Sequence, residues 1–282
     1  MMRKLIAVII RFLPAGLISR AWGVVVRWQR PRFFVALAKR LFVRFTGIDL
    51  AEAEKSIEEY ISIEDLFVRY LKTNARSIDV AADAIISPVD GIIGMCGLVL
   101  QGTLLQVKGR SYSLAQLLND EREAARFEGG AYATIYLSPK DYHRIHAPIA
   151  GAVHNATVIP GRLLPVFSEV IERIEDLFAR NERVVTYIDT ETSGCVALVK
   201  VGATMVGRIG VTYDLTIRTN TTRAYIRRIE YPEPYVLQKG DEVGVFELGS
   251  TVILITEPGR ISFDAIAPLQ SVQMGLRIGT IH

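Results

Sequence analysis

The chain has 282 residues, half of them hydrophobic, enough for one large domain or a domain with an appendage. Cys96 and Cys195 are its only cysteines, so neither a disulfide framework nor a cysteine zinc site is indicated, and a reducing compartment fits. The net charge is +3 but uneven: residues 1–49 hold ten basic groups against Asp49 alone, leaving −6 for the remainder.

Such asymmetry means that the first fifty residues face something anionic. They alternate apolar blocks with single cations such as Arg11, Arg20, Arg27, Lys39 and Arg44. No uncharged run approaches the ~20 residues that span a bilayer. Arg11 ends the first block too early for a signal-peptide core. Pro14-Ala-Gly16 and Arg30-Pro31 divide the segment into about three short helices. Trp22, Trp28, Phe33 and Phe34 lie among the cations. A basic amphipathic helix with aromatic residues suits the membrane interface. Nucleic-acid binding is the competing use of the charge, but the largely aliphatic surface fits acyl chains better. A helical hairpin packed on the core is the structural alternative.

Ala51 to Asn74 reads as another helical stretch, with Ile57, Tyr60, Ile61, Leu66, Phe67, Tyr70 and Leu71 at three/four spacing. Ser62-Ile-Glu-Asp65 resembles a capping box. From about Arg76 onward, short β-branched runs alternate with Gly and Pro. The expected division is therefore a helical membrane-associating region, 1–75, and a β-rich domain, 76–282. A short internal repeat runs through the second part. Ser87-Pro-Val-Asp-Gly-Ile-Ile93 is echoed by Ala147-Pro-Ile-Ala-Gly-Ala-Val153, and Lys239-Gly-Asp-Glu-Val243 is a further turn before a strand. The expected class is α+β, with N-terminal amphipathic helices. Its β-rich sandwich or barrel-like core has two similar halves, as in lipoyl-like or duplicated-hybrid folds. Two helices should interrupt the β body, Ser113 to Asn119 and Phe167 to Arg180; the second carries Val170, Ile171, Ile174, Leu177 and Phe178 on one face.

Phe246-Glu-Leu-Gly-Ser-Thr-Val-Ile-Leu-Ile255 reads as strand, tight turn, strand. Gly-Ser is a common turn pair. It also places the Ser250 hydroxyl beside the carbonyl of Gly249, where Oγ could attack its own backbone. Asp90 alone would be a hairpin-turn residue of Asp90-Gly91. His143 and His146 stand in Tyr136-Leu-Ser-Pro-Lys-Asp-Tyr-His-Arg-Ile-His-Ala-Pro148. His-x-x-His can ligate a metal, but a third ligand at usual spacing is not nearby. Asp90, His146 and Ser250 together supply an acid, a base and a nucleophile, the logic of a triad in any chain order. A hydrolase fits less well, because the Gly-x-Ser-x-Gly elbow is missing and Ser250 is better placed to attack its own chain.

Leu248-Gly249-Ser250-Thr251, the His143/His146 stretch and Ser87-Pro-Val-Asp90-Gly91 resemble the phosphatidylserine decarboxylases. So do Phe178-Ala-Arg-Asn-Glu-Arg-Val184 and Val201-Gly-Ala-Thr-Met-Val-Gly207. The resemblance covers essentially the whole chain, and its layout is that of the bacterial membrane-bound form. Ala147 departs from it, since a bulkier residue is expected there in some relatives. The resemblance implies a precursor in which Asp90 orients and charges His146, and His146 deprotonates Ser250. Attack on Gly249 and β-elimination then cut the Gly249-Ser250 bond. A β chain, 1–249, and an α chain, 250–282, would result, the latter opening with a pyruvoyl group derived from Ser250. That group would form a Schiff base with phosphatidylserine and take up the electrons released with carbon dioxide. His143 would return a proton and phosphatidylethanolamine would leave, with no metal and no added cofactor.

The implied partners are phosphatidylserine, anionic lipid and the two chains of one precursor, with room for a homodimer and no nucleic acid. The implied place is the periphery of the bacterial inner membrane, on its cytoplasmic face. Two alternatives stay open on the residues. One is a pyruvoyl decarboxylase of a soluble amino acid. The other is a non-enzymatic carrier or binding module on a lipoyl-like sandwich.

Overall fold

The structure is a computed structural model that describes residues 23–105, 111–166, 170, 173–204, 208–221, 225–247, 250–264 and 269–282. The break expected at Pro14 to Gly16 lies outside these residues. Residues 23–26 are helical, and after Pro31 a second helix, α1, runs Arg32–Thr46. It stops at Gly47, whose left-handed φ of 77° lets its amide reach the carbonyl of Val43 at 2.9 Å. α1 carries apolar side chains on both sides, with Val35 buried and Ala38 and Phe42 packed against Phe67 and its neighbours. Lys39 is buried, with Nζ on the carbonyls of Ile57 and Tyr60, while Phe33, Phe34, Leu37, Leu41 and Phe45 face outward.

The long helix expected over Ala51 to Asn74 is not formed. Only Ile63–Phe67, α2, is helical. Ser62 Oγ accepts from the amide of Asp65, and the Asp65 carboxylate accepts from Ile61, one residue earlier than in a regular capping box. The flanks fold back on each other instead, with Glu54 N on Tyr70 O and Lys72 N on Glu52 O. Cross-chain pairing of the two flanks wins over the apolar spacing.

The strands in chain order are β1 Ala84–Ile86, β2 Gly91–Leu98, β3 Thr103–Leu105, β4 Ser111–Ser113, β5 Ala131–Leu137, β6 Arg144–His146, β7 Gly151–Ile159 and β8 Arg183–Asp189. They continue with β9 Cys195–Gly202, β10 Ile209–Val211, β11 Arg227–Leu237, β12 Glu242–Phe246, β13 Ser250–Thr256, β14 Ile261–Phe263, β15 Ser271–Val272 and β16 Arg277–Ile281. Eight form one antiparallel sheet, β11-β7-β8-β9-β13-β5-β2-β15. Two three-stranded sheets, β10-β12-β6 and β1-β16-β14, share a core with it. The side chains of β13 alternate as a strand requires: Val252 and Leu254 enter that core, and Ile253 and Ile255 enter a second one. The second core is closed by α3, Leu114–Leu118, by α4, Glu121–Arg126, and by α5, Leu177–Arg180. The helix expected from Phe167 is described only in part. Within that part it is interrupted at Asp176, whose left-handed φ of 54° cannot continue a helix.

The two expected halves are present, and their equivalence extends to individual hydrogen bonds. In β1/β16, Ile85 pairs with Gly279 and a bulge follows; in β6/β12, Ile145 pairs with Gly244 and a bulge lies at the same place. Ile86 N donates to Pro148 O at 3.0 Å, and His146 N donates to Pro88 O at 2.8 Å, so the repeated turns lock each other. Ser87 exchanges backbone bonds with Gly275 and Leu276, as Ala147 does with Gly240 and Asp241. Gly240 and Gly275 have φ of 90° and 91°, a conformation that other residues adopt only under strain. The counterpart of the Lys239-Gly240 turn is thus Met274-Gly275.

The second half, 144–246, is inserted into the first. In the second half β8 and β9 form a hairpin closed by a short turn, with Thr190 N on Gly194 O at 3.0 Å. The equivalent strands of the first half, β5 and β13, pair from Leu137 to Ser250, but the whole second half lies between them in sequence. The Gly249-Ser250 junction therefore sits where the chain returns from one half to the other.

Candidate active site

Ser250 is the first residue of β13, with its backbone between Leu137 of β5 and Gly202 of β9. Its side chain, with Leu248 and Gly249, lies outside the described residues. The next residue, Thr251, is fully buried, and its hydroxyl has no hydrogen-bond partner among the described residues.

His146 ends β6, opposite Glu242 of β12. Its Nδ1 donates to the carbonyl of Gly240 at 2.7 Å. A carbonyl can only accept, so this bond fixes the tautomer and leaves a lone pair on Nε2. The Tyr142 hydroxyl meets that lone pair at 3.2 Å. Burial pulls the pKa of His146 down; the Gly240 carbonyl, Glu242 and Asp90 push it up, and Arg144 pulls it down. Burial pushes the Tyr142 hydroxyl up, so that it stays a protonated donor.

Asp90 is buried in the turn before β2. The contact expected with His146 is not among its described hydrogen bonds. Arg76 takes its carboxylate through Nε on Oδ1 at 2.9 Å and Nη2 on Oδ2 at 2.5 Å, and the amide of Met274 donates to Oδ1 at 2.9 Å. Arg76 itself is shared with Glu52 at 2.8 Å. The charge of Asp90 is the smallest of the named influences on His146, and the orientation of the ring comes from the Gly240 carbonyl instead.

His143 lies just before β6, and its carbonyl accepts from the amide of Phe246 at 3.0 Å. Its ring is wholly buried, 3.9 Å from the Phe67 ring between centroids. Nδ1 donates to Asp141 O at 2.8 Å, and Nε2 is buried without a partner among the described residues. Burial lowers its pKa to about 3, so the imidazole is neutral at physiological pH. The two histidines, three residues apart on extended chain, have separate surroundings, Phe67 for one and Tyr142 for the other.

Comparison of the halves singles out the same residues. Where one half has His146, the other has Ile86; Asp90 corresponds to Ala150, and His143 to Asp83. Sequence reasoning missed Arg76, Tyr142 and the Gly240 carbonyl. The first two stand close to the motifs, but their partners depend on how the turns interlock. No group of three or more metal-ligating side chains forms among the described residues.

Comparison with known proteins adds an independent line. A family model described as phosphatidylserine decarboxylase matches residues 63–280. The phosphatidylserine decarboxylase proenzyme of Anaeromyxobacter sp. (strain K) is 44% identical over 272 residues, covering 96% of each chain. The proenzyme of Myxococcus xanthus (strain DK1622) is 40% identical over 97% of each chain. That of Brevibacillus brevis is 40% identical over 99% of this chain and 98% of its own.

Proposed function

Since the chain belongs to the phosphatidylserine decarboxylase family, we propose that it decarboxylates phosphatidylserine to phosphatidylethanolamine after cutting itself at Gly249-Ser250. The observation that carries this reading is the position of that junction. It lies at the seam of the two halves, at the head of a strand held on both sides, and the strand that leads to it, β12, pairs with β6 of His146 and bonds the His143 carbonyl through Phe246 N.

His146 is the base for Ser250. Its Nδ1 is committed to Gly240, so Nε2 is the nitrogen that can receive the hydroxyl proton once the long contact with the Tyr142 hydroxyl is exchanged for Ser250. The imidazolium that forms is favoured by the charges of Glu242 and Asp90. Asp90 is held in place by Arg76 and the Met274 amide. Oγ of Ser250 attacks the Gly249 carbonyl, the peptide becomes an ester, elimination frees the β chain, 1–249, from the α chain, 250–282, and the dehydroalanine left at position 250 takes up water and loses ammonia to become the pyruvoyl group.

The pyruvoyl group formed at position 250 would stand at the head of β13, whose backbone is held between Leu137 and Gly202. It supplies a carbonyl that accepts the electrons set free when carbon dioxide leaves. His143 carries the open lone pair of a neutral imidazole on Nε2, and would take up a proton there before returning it to the substrate Cα.

Residues 1–75 hold the catalytic unit, 76–282, at the bilayer surface. The support is the outward apolar face of α1 together with the basic charge of the first fifty residues. No helix among the described residues is long and apolar enough to cross a membrane. Carbon dioxide release from phosphatidylserine vesicles, measured beside release from free serine, tests the reading. Release from the lipid alone supports it; release from serine alone makes the chain a soluble-substrate decarboxylase.

A further inference from the structure

Arg69 is a buried charge for which the scheme above has no task. It follows α2 and is 4% exposed. Nη2 donates to the carbonyls of Lys140 at 2.9 Å and Asp141 at 3.4 Å. Nε and Nη1 are buried without a partner among the described residues. Burial pulls the guanidinium pKa below its ordinary value, a sign of how poorly the charge is compensated.

The carboxylates around it are already engaged. Asp90 is taken by Arg76 and the Met274 amide. The Asp141 carboxylate accepts from the amide and hydroxyl of Ser138 at 2.6 and 2.8 Å. A buried guanidinium with two idle donors is costly and calls for an explanation. The neighbouring group has the same character. The Asp141 carbonyl that accepts from Arg69 also accepts from Nδ1 of His143, whose Nε2 is unpartnered too. An idle cation and an idle lone pair thus meet around one carbonyl oxygen.

We propose that Arg69 receives the α-carboxylate of the serine headgroup, an inference that rests on the lipid-decarboxylase reading. The lipid enters headgroup first, because its acyl chains stay in the bilayer. Ammonium and carboxylate form the tip, and the phosphodiester trails behind. A cation buried this deeply therefore meets the carboxylate. The Phe246 amide, a few residues before the proposed cut, donates to the His143 carbonyl at 3.0 Å, so the end created by the cut follows the same strand that holds this group.

The contact exists only before carbon dioxide leaves. It strengthens substrate binding and lowers KM, and adds nothing to kcat. Once the carboxylate is gone the guanidinium is idle again, so the product is held more weakly than the substrate. Arg69 is in this sense a specificity-determining residue that favours exchange of product for substrate.

The test is direct binding by calorimetry to the mature protein, which avoids any covalent step. One probe is a short-chain phosphatidylserine analogue with hydrogen in place of the amine. The other is the matching phosphatidylethanol, which has the phosphodiester and no carboxylate. Wild type should prefer the first. Arg69→Gln should lose about tenfold to a hundredfold for the carboxylate probe, the range of a charged hydrogen bond, and keep its affinity for phosphatidylethanol. Arg69→Lys should recover part of the preference. Retained self-cleavage and phosphatidylethanol binding report that the variants are folded. Equal loss for both probes would assign Arg69 to the phosphodiester and overturn the proposal, as would unchanged affinity for both. Failure of wild type to release carbon dioxide from phosphatidylserine would overturn the underlying reading instead, and is read separately.

Discussion

The imidazole of His146 is oriented by a backbone carbonyl, that of Gly240, at 2.7 Å. Gly240 can present that carbonyl because its φ is 90°, and a Cβ there would meet Ile78 Cδ1 at 2.5 Å. Gly240→Ala should therefore destabilise the fold by roughly 1 kcal/mol or more. It should also slow self-cleavage, because the ring loses its anchor. A time course of chain splitting beside a urea midpoint checks both. Unchanged cleavage in a destabilised variant would free His146 from this dependence.

Asp90 should matter through its charge. Asp90→Asn leaves the buried Arg76 with Glu52 as its remaining carboxylate partner, a loss of roughly 1–3 kcal/mol. Stability and chemistry must be separated, and the pair Asp90→Asn with Arg76→Gln does so. The double variant should regain stability over Asp90→Asn alone and still cleave slowly, since the charge acting on His146 is absent. Normal cleavage in the double variant would reduce Asp90 to a structural partner of Arg76. His146→Ala should block cleavage altogether, read on the same gels.

His143→Ala should still split at Gly249-Ser250 and then turn over phosphatidylserine very slowly. Maturation on a gel and carbon dioxide release from one preparation separate the two steps. His143 also makes stability depend on pH. Its folded pKa, about 3, is below the unfolded value of 6.5, so the unfolded chain binds the extra proton between these values. Stability from this group is complete above pH 6.5 and falls as the pH drops toward 3. At pH 5 the loss is about 2 kcal/mol relative to pH 7. His143→Phe should flatten that part of the denaturation profile, and an unchanged slope would place the titration elsewhere.

The exposed face of α1 should carry membrane attachment. Phe34 and Leu41 are 56% and 45% exposed and touch none of the proposed catalytic groups. Phe34→Ser with Leu41→Ser should leave self-cleavage intact and weaken binding to anionic vesicles, each side chain contributing up to roughly 1.5–3 kcal/mol when buried in lipid. Deleting residues 1–48 should weaken binding further, because it also removes the basic charge. Equal binding of all three proteins at low salt would count against this role.

The readable parts of the sequence were those with strict backbone demands. Ser87 to Gly91 and Ala147 to Gly151 are alike because the two turns bond each other reciprocally, so both keep proline and glycine in place. The strands between them need only apolar side chains at every second position, which is why the repeat fades there. Insertion of one half into the other was hidden for the same reason, since the Leu137 to Ser250 pairing spans the whole second half. The stretch from Ala51 misled because its apolar spacing serves two flanks that pair with each other and one short helix. Asp90, His143 and His146 stood out as residue types, but their partners Arg76, Phe67 and Gly240 come from other segments or from backbone atoms, which spacing does not reveal.

Intact-mass spectrometry of the purified protein tests the central claim most directly. Self-cleavage predicts two chains, 1–249 and 250–282, the second with a pyruvoyl group in place of an amino-terminal serine, and a single uncut chain for Ser250→Ala. A wild-type protein that stays at the full 31.4 kDa when folded, or an α chain that begins with an ordinary serine amine, would contradict the account.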